Sequence, residues 1–261
     1  MTFNFEIAIP TYNRPKIIGR KTLKLLMDFG VNSSKILIFL RDEEQQKLYE
    51  KEIGNSFRFH LTGQTGIDST RNYLREYYHT CEEAKKLDGV LFMDDDITQL
   101  CEMGKPIKSP FLDLVEYFFL ETKKRNLRLW SVNAFDNSFF MKDNISTNLR
   151  YCIGAFQGLI LDRKKPIIFC DVGHFEDFQF SIEHFIEDGG VVRFDKYGIT
   201  TKYFEEKGGI CGSLGGLKNR QKEMEENAKY MCERYGEMCR LKVKKIGHDL
   251  RLNHFYKNKI C

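Results

Sequence analysis

Apolar and polar residues alternate over 3–9 (FNFEIAI), the period of a half-buried strand, and PTYNRP then makes a turn in which Pro15 can start a helix running to about residue 30. The unit recurs. KILIFL at 35–40 reads as a buried strand, 42–54 as a polar helix, FRFHL at 57–61 as a strand and 69–87 as a long helix, after which GVLFM at 89–93 runs into three aspartates. Strands alternating with helices at this spacing predict an α/β fold, an open and mostly parallel sheet with helices on both faces.

Beyond residue 100 the pattern loosens. Helices are predicted at 110–126, 176–187 and 218–235, and strands at 127–133, within 151–162 (YCIGAFQGLILD), at 191–194 and at 241–246. The sheet is expected to become mixed here. No linker separates the halves, so residues 1–261 are expected to form one domain, with divisions at 1–100, 101–217 and a basic tail at 218–261. The glycine-rich run EEKGGICGSLGGL (205–217) is expected to be a surface loop suited to covering a site.

With 42% hydrophobic and 30% charged residues, 22 Phe and 12 Tyr, the chain can bury a sizeable core and is neither disordered nor low in complexity. No apolar run is long enough to span a membrane, and the N-terminus has no secretory pattern. Eight scattered cysteines without a C-x-x-C pair read as reduced thiols, which points to the cytoplasm, a host's cytoplasm if the chain is viral. The net charge of +4 is unevenly placed, because residues 218–261 hold 12 Lys and Arg against 6 Asp and Glu. Such a tail is either a solvated helix face or a surface for phosphates or an anionic acceptor.

In open α/β sheets ligands bind beyond the carboxyl ends of the strands, so Pro10-Thr11-Tyr12-Asn13-Arg14, Asp42 and Asp94-Asp95-Asp96 are expected around one crevice. Three consecutive carboxylates repel one another unless a cation or hydrogen-bond donors offset them, and a hard divalent ion such as Mn2+ or Mg2+ takes such oxygens. The chain carries neither G-x-x-x-x-G-K-[ST] nor G-x-G-x-x-G after its first strand, which removes support for ordinary nucleotide-hydrolase and dinucleotide readings. A bound diphosphate would then be met by the metal and by Arg14 and Arg71.

IPTYNRP, Arg41-Asp42, TGIDSTRNYL and LFMDDDI, in this order, resemble the nucleotide-sugar half of the GT-A glycosyltransferases. The resemblance implies a GT-A fold whose first hundred residues bind a UDP- or GDP-sugar and whose following residues face the acceptor. It gives Pro10, Thr11, Tyr12, Asn13, Arg14 and Asp42 to the nucleotide, Arg71 with Asn72 to the opening of the next helix, and Asp94 and Asp95 to the sugar nucleotide. Asp94 and Asp96 would bind the metal, with His248, or else His254, as a further ligand or diphosphate contact. RDEEQ departs from the D-D-G-S common in that family, so the contacts of Asp42 are open.

HFEDFQFSIEHF (174–185) resembles the E-D pair that begins a helix in many inverting members, which implies Asp177 as catalytic base with Glu176 beside it. Trp130 reads either as core or as a wall of the acceptor site. The order R-N, D-D-D, W, G-x-x-x-G, E-D and G-G is similar to compact enzymes of large DNA viruses and phages, including TET-associated glycosyltransferases. The expected activity is metal-dependent, inverting transfer of a sugar to a hydroxyl, with a glycan acceptor ahead of hydroxymethylated DNA. Two rivals stand beside it: a haloacid-dehalogenase-like phosphohydrolase using D-D-D-I-T (94–98) with Asp94 as nucleophile, and a GT-A domain that binds sugar without turnover.

Overall fold

Strands β1 (Phe5–Pro10), β2 (Ile36–Leu40) and β4 (Gly89–Met93) are apolar almost throughout because both of their faces are covered. The computed structural model describes residues 2–201, 217–243 and 248–257. With β3 (Arg58–Leu61) these strands pair in parallel in the order β3-β2-β1-β4. The sheet then turns mixed, as expected. It continues through β9 (Phe156–Ile160), antiparallel to both β4 and β7 (Leu129–Asn133), then β10 (Val192–Thr201), β5 (Ile97–Glu102) and β6 (Lys105–Pro106), while β8 (Ile145–Ser146) pairs with β10.

The two faces build two cores. On one face, α1 (Pro15–Ile18), α2 (Lys24–Asp28), α3 (Glu43–Ile53) and α5 (Phe111–Lys124) cover Ile7, Ile38 and Leu91 with Ile18, Tyr49, Phe118 and Phe119. On the other, α4 (Ile67–Thr80), α6 (Glu176–Asp188) and α7 (Leu217–Tyr235) cover Ala8, Phe39 and Phe92 with Leu74, Tyr78, Phe180 and Met231. A hairpin of β11 (Cys239–Val243) and β12 (His248–Leu252) joins this second core through Cys239, Leu250 and Leu252.

Several boundaries differ from the sequence reading. The helix expected to run to 87 stops at Thr80, where Cys81 turns extended and a 3-10 turn, Glu82–Ala84, steers the chain back into β4. The first helix is broken by a π turn over Gly19–Leu23. Strands β5 and β12 were not anticipated, because ITQLCE and HDLRL are too polar to mark a strand until their antiparallel partners, β10 and β11, are known. Residues 205–216 of the expected covering loop, and 244–246 of the expected basic strand, lie outside the described residues. Cys81, Cys101, Cys152, Cys170, Cys232 and Cys239 are free thiols, and among the described residues no helix is long and apolar enough to cross a membrane.

Candidate active site

Side chains alternate along β4 and the alternation continues past its end, so consecutive aspartates leave the sheet in opposite directions. Asp94 turns to the α4 side and accepts from Arg71 Nη2 at 2.8 Å. Asp95 turns to the α3 side, where Thr11 Oγ1 donates to it at 2.5 Å and Arg14 Nη1 at 3.1 Å. Asp96 accepts from Thr201 Oγ1 at 2.7 Å, with Arg14 Nη1 at 3.7 Å. The Thr22 hydroxyl, inside the π turn, donates to the Asp94 carbonyl at 2.7 Å and accepts from the Ile97 amide at 2.9 Å. Helical irregularities of this kind recur at functional sites, and here the irregular turn fixes the aspartate backbone.

Burial pushes the Asp95 carboxyl up to about 6, against the pull of Arg14 and the Thr11 hydroxyl. Burial and the charge of Asp94 also raise Asp96. Asp94 is the most open of the three, with a third of its side chain exposed. Oxygen donors crowded in this way fit a hard divalent cation, and Asp94 and Asp96 are the two that could hold one. Among the described residues no three His, Cys, Asp or Glu side chains form a closed ligand set. His248 lies in β12 and its side chain is outside the described residues.

The turn after β1 is held by α3. Asn13 takes a left-handed φ of 55°, which Asn tolerates, and Gln45 clamps it by donating to Asn13 Oδ1 at 2.7 Å and accepting from its amide at 2.9 Å. One turn on, the Tyr49 hydroxyl meets Thr11 Oγ1 at 2.6 Å and the Arg14 amide at 3.0 Å. Pro10 ends β1 opposite Phe39. Tyr12 is at the same rim, with Arg41 stacked 4.7 Å from its ring and bonded to its hydroxyl at 2.8 Å. Asp42 caps α3 through the Gln45 amide at 3.0 Å and pairs with Arg41 at 2.5 Å, so both of its oxygens are engaged locally. This answers the question left by RDEEQ: Asp42 organises the rim rather than projecting alone from it.

On the other side Arg71 spans two segments. Its Nη1 bonds Glu176 while Nη2 holds Asp94, and Arg75, one helical turn along, donates to the second Glu176 oxygen at 2.6 Å. Glu176 is only 4% exposed; burial raises its pKa, but Arg71 and Arg75 outweigh that and hold it below the usual carboxylate range. A Cβ on Gly154 would overlap the Arg71 guanidinium, so the glycine is what lets the arginine lie flat. Asn72, the neighbour of Arg71 in the Arg-Asn pair of α4, brackets Cys170, donating to its carbonyl at 2.7 Å and accepting from its amide at 2.9 Å.

Asp177 opens α6 beside Glu176. It accepts from the Tyr151 hydroxyl at 2.5 Å and the Gly154 amide at 3.3 Å. Burial and then the charge of Glu176 push its carboxyl up to about 6, while Arg71 and Tyr151 act in the opposite sense. The preceding residue, Phe175, sits at φ 67°, a left-handed backbone costly for an aromatic residue and of the kind retained at functional sites. Two open readings are settled by the surroundings. Trp130 is fully buried with Phe118, Phe119, Phe156 and Phe194 around it, and a Cβ on Gly158 would overlap its indole, so it is core and not an acceptor wall. His254 bonds the Leu149 carbonyl at 2.9 Å and lies with Arg150, not with the aspartates.

The sequence reading missed Thr22, Gln45, Tyr49, Arg75, Tyr151 and Thr201. Three of them carried a signal: Gln45 and Tyr49 are four apart on one helix, and Arg75 is four beyond the predicted Arg71 on another, the spacing that puts two side chains on one face.

No protein-family profile matches the chain, and no curated protein sequence does. Solved structures do match in fold. A mycobacterial protein aligns over 97% of this chain and 84% of its own at TM-score 0.53 and 8% identity. Glucosyl-3-phosphoglycerate synthase from Mycobacterium tuberculosis, in complex with Mn2+, uridine diphosphate and phosphoglyceric acid, aligns over 97% and 87% at TM-score 0.51 and 10% identity. S. aureus TarS 1–349 aligns at TM-score 0.46 and 12% identity over 88% of this chain, which spans 66% of that fragment. With its strand order and its helices on both faces, the chain has the GT-A fold, shared with glucosyl-3-phosphoglycerate synthase.

Proposed function

We propose that the chain is a metal-dependent glycosyltransferase that moves a sugar from a UDP- or GDP-sugar to an acceptor hydroxyl with inversion. The observation that carries this reading is Arg71, which ties Asp94 at the end of β4 to Glu176 at the start of α6 and so sets a donor-side carboxylate and Asp177 around one guanidinium. A fold neighbour described with Mn2+ and uridine diphosphate supports the donor class. Residues 1–100 form the donor side of one domain and the segments that follow form the acceptor side. The free thiols suit a cytoplasmic location. The narrower likeness to compact enzymes of large DNA viruses and phages rests on the order of the motifs.

Asp94 and Asp96 would hold Mn2+ or Mg2+, with His248 as candidate third ligand; the ion would neutralise the charge that develops on the departing diphosphate. Arg14 and Arg71 flank the same carboxylates and would orient the phosphates, while Thr11, Tyr12 and Asp42 shape the nucleoside rim. Asp177 acts as the base. A hydroxyl is a weak nucleophile until its proton leaves, and a carboxylate poised near 6 is ionised at neutral pH yet basic enough to take that proton. Tyr151 and the Gly154 amide aim the accepting oxygen. Glu176, committed to two arginines, positions Arg71 rather than accepting the proton. The acceptor class is a glycan ahead of hydroxymethylated DNA.

The test is transfer from a panel of nucleotide sugars with Mn2+ to glycan and hydroxymethylated-duplex acceptors, comparing the wild type with Asp177→Asn. The reading predicts turnover on one donor and a loss of roughly 10²- to 10⁴-fold in the variant. Absence of any donor binding or hydrolysis across the panel would overturn it.

A further inference from the structure

The basic charge of the C-terminal region divides into two kinds. On α7 it is largely matched: Lys229 pairs with Glu225 at 2.7 Å, and Arg234 reaches Asp171 at 2.7 Å and Glu183 at 3.0 Å. On the hairpin Lys242 stands opposite Asp249, but one facing pair is of like charge. Arg240 of β11 stands directly opposite Arg251 of β12, both exposed, and like charges in facing positions of an antiparallel pair destabilise it.

Further cations adjoin this pair. The segment after β12 is stapled to the segment before β9, with His254 Nδ1 at 2.9 Å from the Leu149 carbonyl and the Asn148 amide group on the His254 carbonyl. Arg150 leaves that segment with its Nε at 3.1 Å from Asn148 Oδ1, the one hydrogen bond its side chain makes among the described residues. Arg193, at the start of β10, lies close enough for its charge to act on Arg150. Burial lowers both Arg150 and His254, and neighbouring arginines add to it: Arg193 for the first, Arg150, Arg193 and Arg251 for the second. Asp195 is the carboxylate whose charge acts on Arg150, and it already accepts from Arg193 at 2.6 Å and from Ser146; Asp249 lies two residues before Arg251 on β12.

The patch adjoins the candidate base. Arg150 immediately precedes Tyr151, which donates to Asp177. Cys152 follows; its amide donates at 2.9 Å to Ser181 Oγ, whose hydroxyl donates in turn to the Asp177 carbonyl at 2.6 Å, and its thiol meets the Val192 carbonyl beside Arg193. One short segment therefore links the base to the arginines.

We propose that Arg150, Arg193 and Arg251, with His254, bind a phosphoryl group carried by the acceptor, so that the enzyme glycosylates a phosphorylated molecule. Several guanidiniums around a carboxylate already committed to Arg193 and Ser146 suit a dianion better than a single carboxylate ligand, and the planar guanidinium matches phosphate oxygens in pairs. The inference rests on the glycosyltransferase reading for the word acceptor, but the anion site stands on its own geometry.

The test uses the full chain with chelator present, titrated calorimetrically with inorganic phosphate, glycerol phosphate, acetate and a short DNA duplex. Phosphate and glycerol phosphate are expected to bind, more weakly as salt rises, and Arg150→Gln with Arg251→Gln to weaken both at least tenfold. In the same variant, nucleoside diphosphate binding with Mn2+ is expected to stay within about twofold of wild type. No phosphate binding, binding unchanged in the variant, equal binding of acetate, or a strong preference for the duplex would each overturn the proposal. Arginine-dependent phosphate binding without any nucleotide binding would keep the anion site and remove the transferase reading.

Discussion

Arg71 Nη2 lies 2.8 Å from Asp94 Oδ1, so a residue of α4 reads the end of β4 while its other nitrogen is bound to α6. The guanidinium is almost wholly buried, and its position depends on the missing side chain of Gly154. The end of β4 and the start of α6 are thus coupled through one planar group, which Lys could not replace because its ammonium presents no fork.

Gly154→Ala is therefore expected to displace Arg71. Arg71→Met is expected to lose about 3 kcal/mol of stability, the range for breaking a buried ion pair, moderated because Arg75 still holds Glu176. Urea denaturation measures the loss. A cost below about 1 kcal/mol would show that the ion pair contributes little to the fold.

Trp130→Phe is expected to destabilise the protein by roughly 2 kcal/mol, as a large-to-small change in a filled core. Its acceptor KM is expected to stay unchanged. Gly158→Ala, which places a methyl where the indole lies, is expected to cost more than Trp130→Phe, and thermal unfolding of the two variants side by side ranks them. An altered acceptor KM with unaltered stability would return Trp130 to the acceptor site.

Strands β1, β2 and β4 were legible because they are buried on both faces and end in turn residues, as at Pro10 and Asp94. The rim was legible only as a list of residue types. Alternation sends Asp94 and Asp95 to opposite faces, which the sequence states, but what each then meets depends on α4 and on α3, whose approach is set by packing. Tyr151 illustrates the remainder. It lies 26 residues before Asp177, and only the return of β9 beside β4 brings that segment to the start of α6.

Nucleoside diphosphate is expected to bind much better with Mn2+ or Mg2+ than with chelator, since the charges of Asp94 and Asp96 crowd one strand end. Asp96→Asn is expected to reduce that difference while far-ultraviolet dichroism stays unchanged. Calorimetry showing equal affinity with metal and with chelator would refute metal-assisted binding.

The pH profile of transfer is expected to rise through a midpoint near 6 as Asp177 ionises. Tyr151→Phe removes a hydrogen bond that favours the charged form, so its midpoint is expected to move upward, and the variant to lose more activity at pH 6 than at pH 8. An unmoved midpoint would assign the proton to another group.

The same shift makes a prediction about stability. A carboxyl raised from 3.8 to about 6 holds its proton more tightly in the native chain than in the unfolded one, so between about pH 4 and 6 the native state binds more protons. Stability from this group is therefore fully present below pH 4 and is lost as pH rises through 6, leaving a half-buried anion at neutral pH. Two pK units amount to about 2.7 kcal/mol, and the partial exposure of Asp177 reduces this to roughly 1 kcal/mol. Asn cannot ionise, yet its carbonyl oxygen can still accept from Tyr151 and Gly154. Asp177→Asn is accordingly expected to be more stable than wild type by roughly 1 kcal/mol at pH 7.5 and to lose that advantage by pH 4, while its transfer activity falls. Urea titrations at the two pH values decide it, because a carboxylate that its partners stabilise would make the variant weaker at pH 7.5, and then the base would owe its pKa to something other than burial.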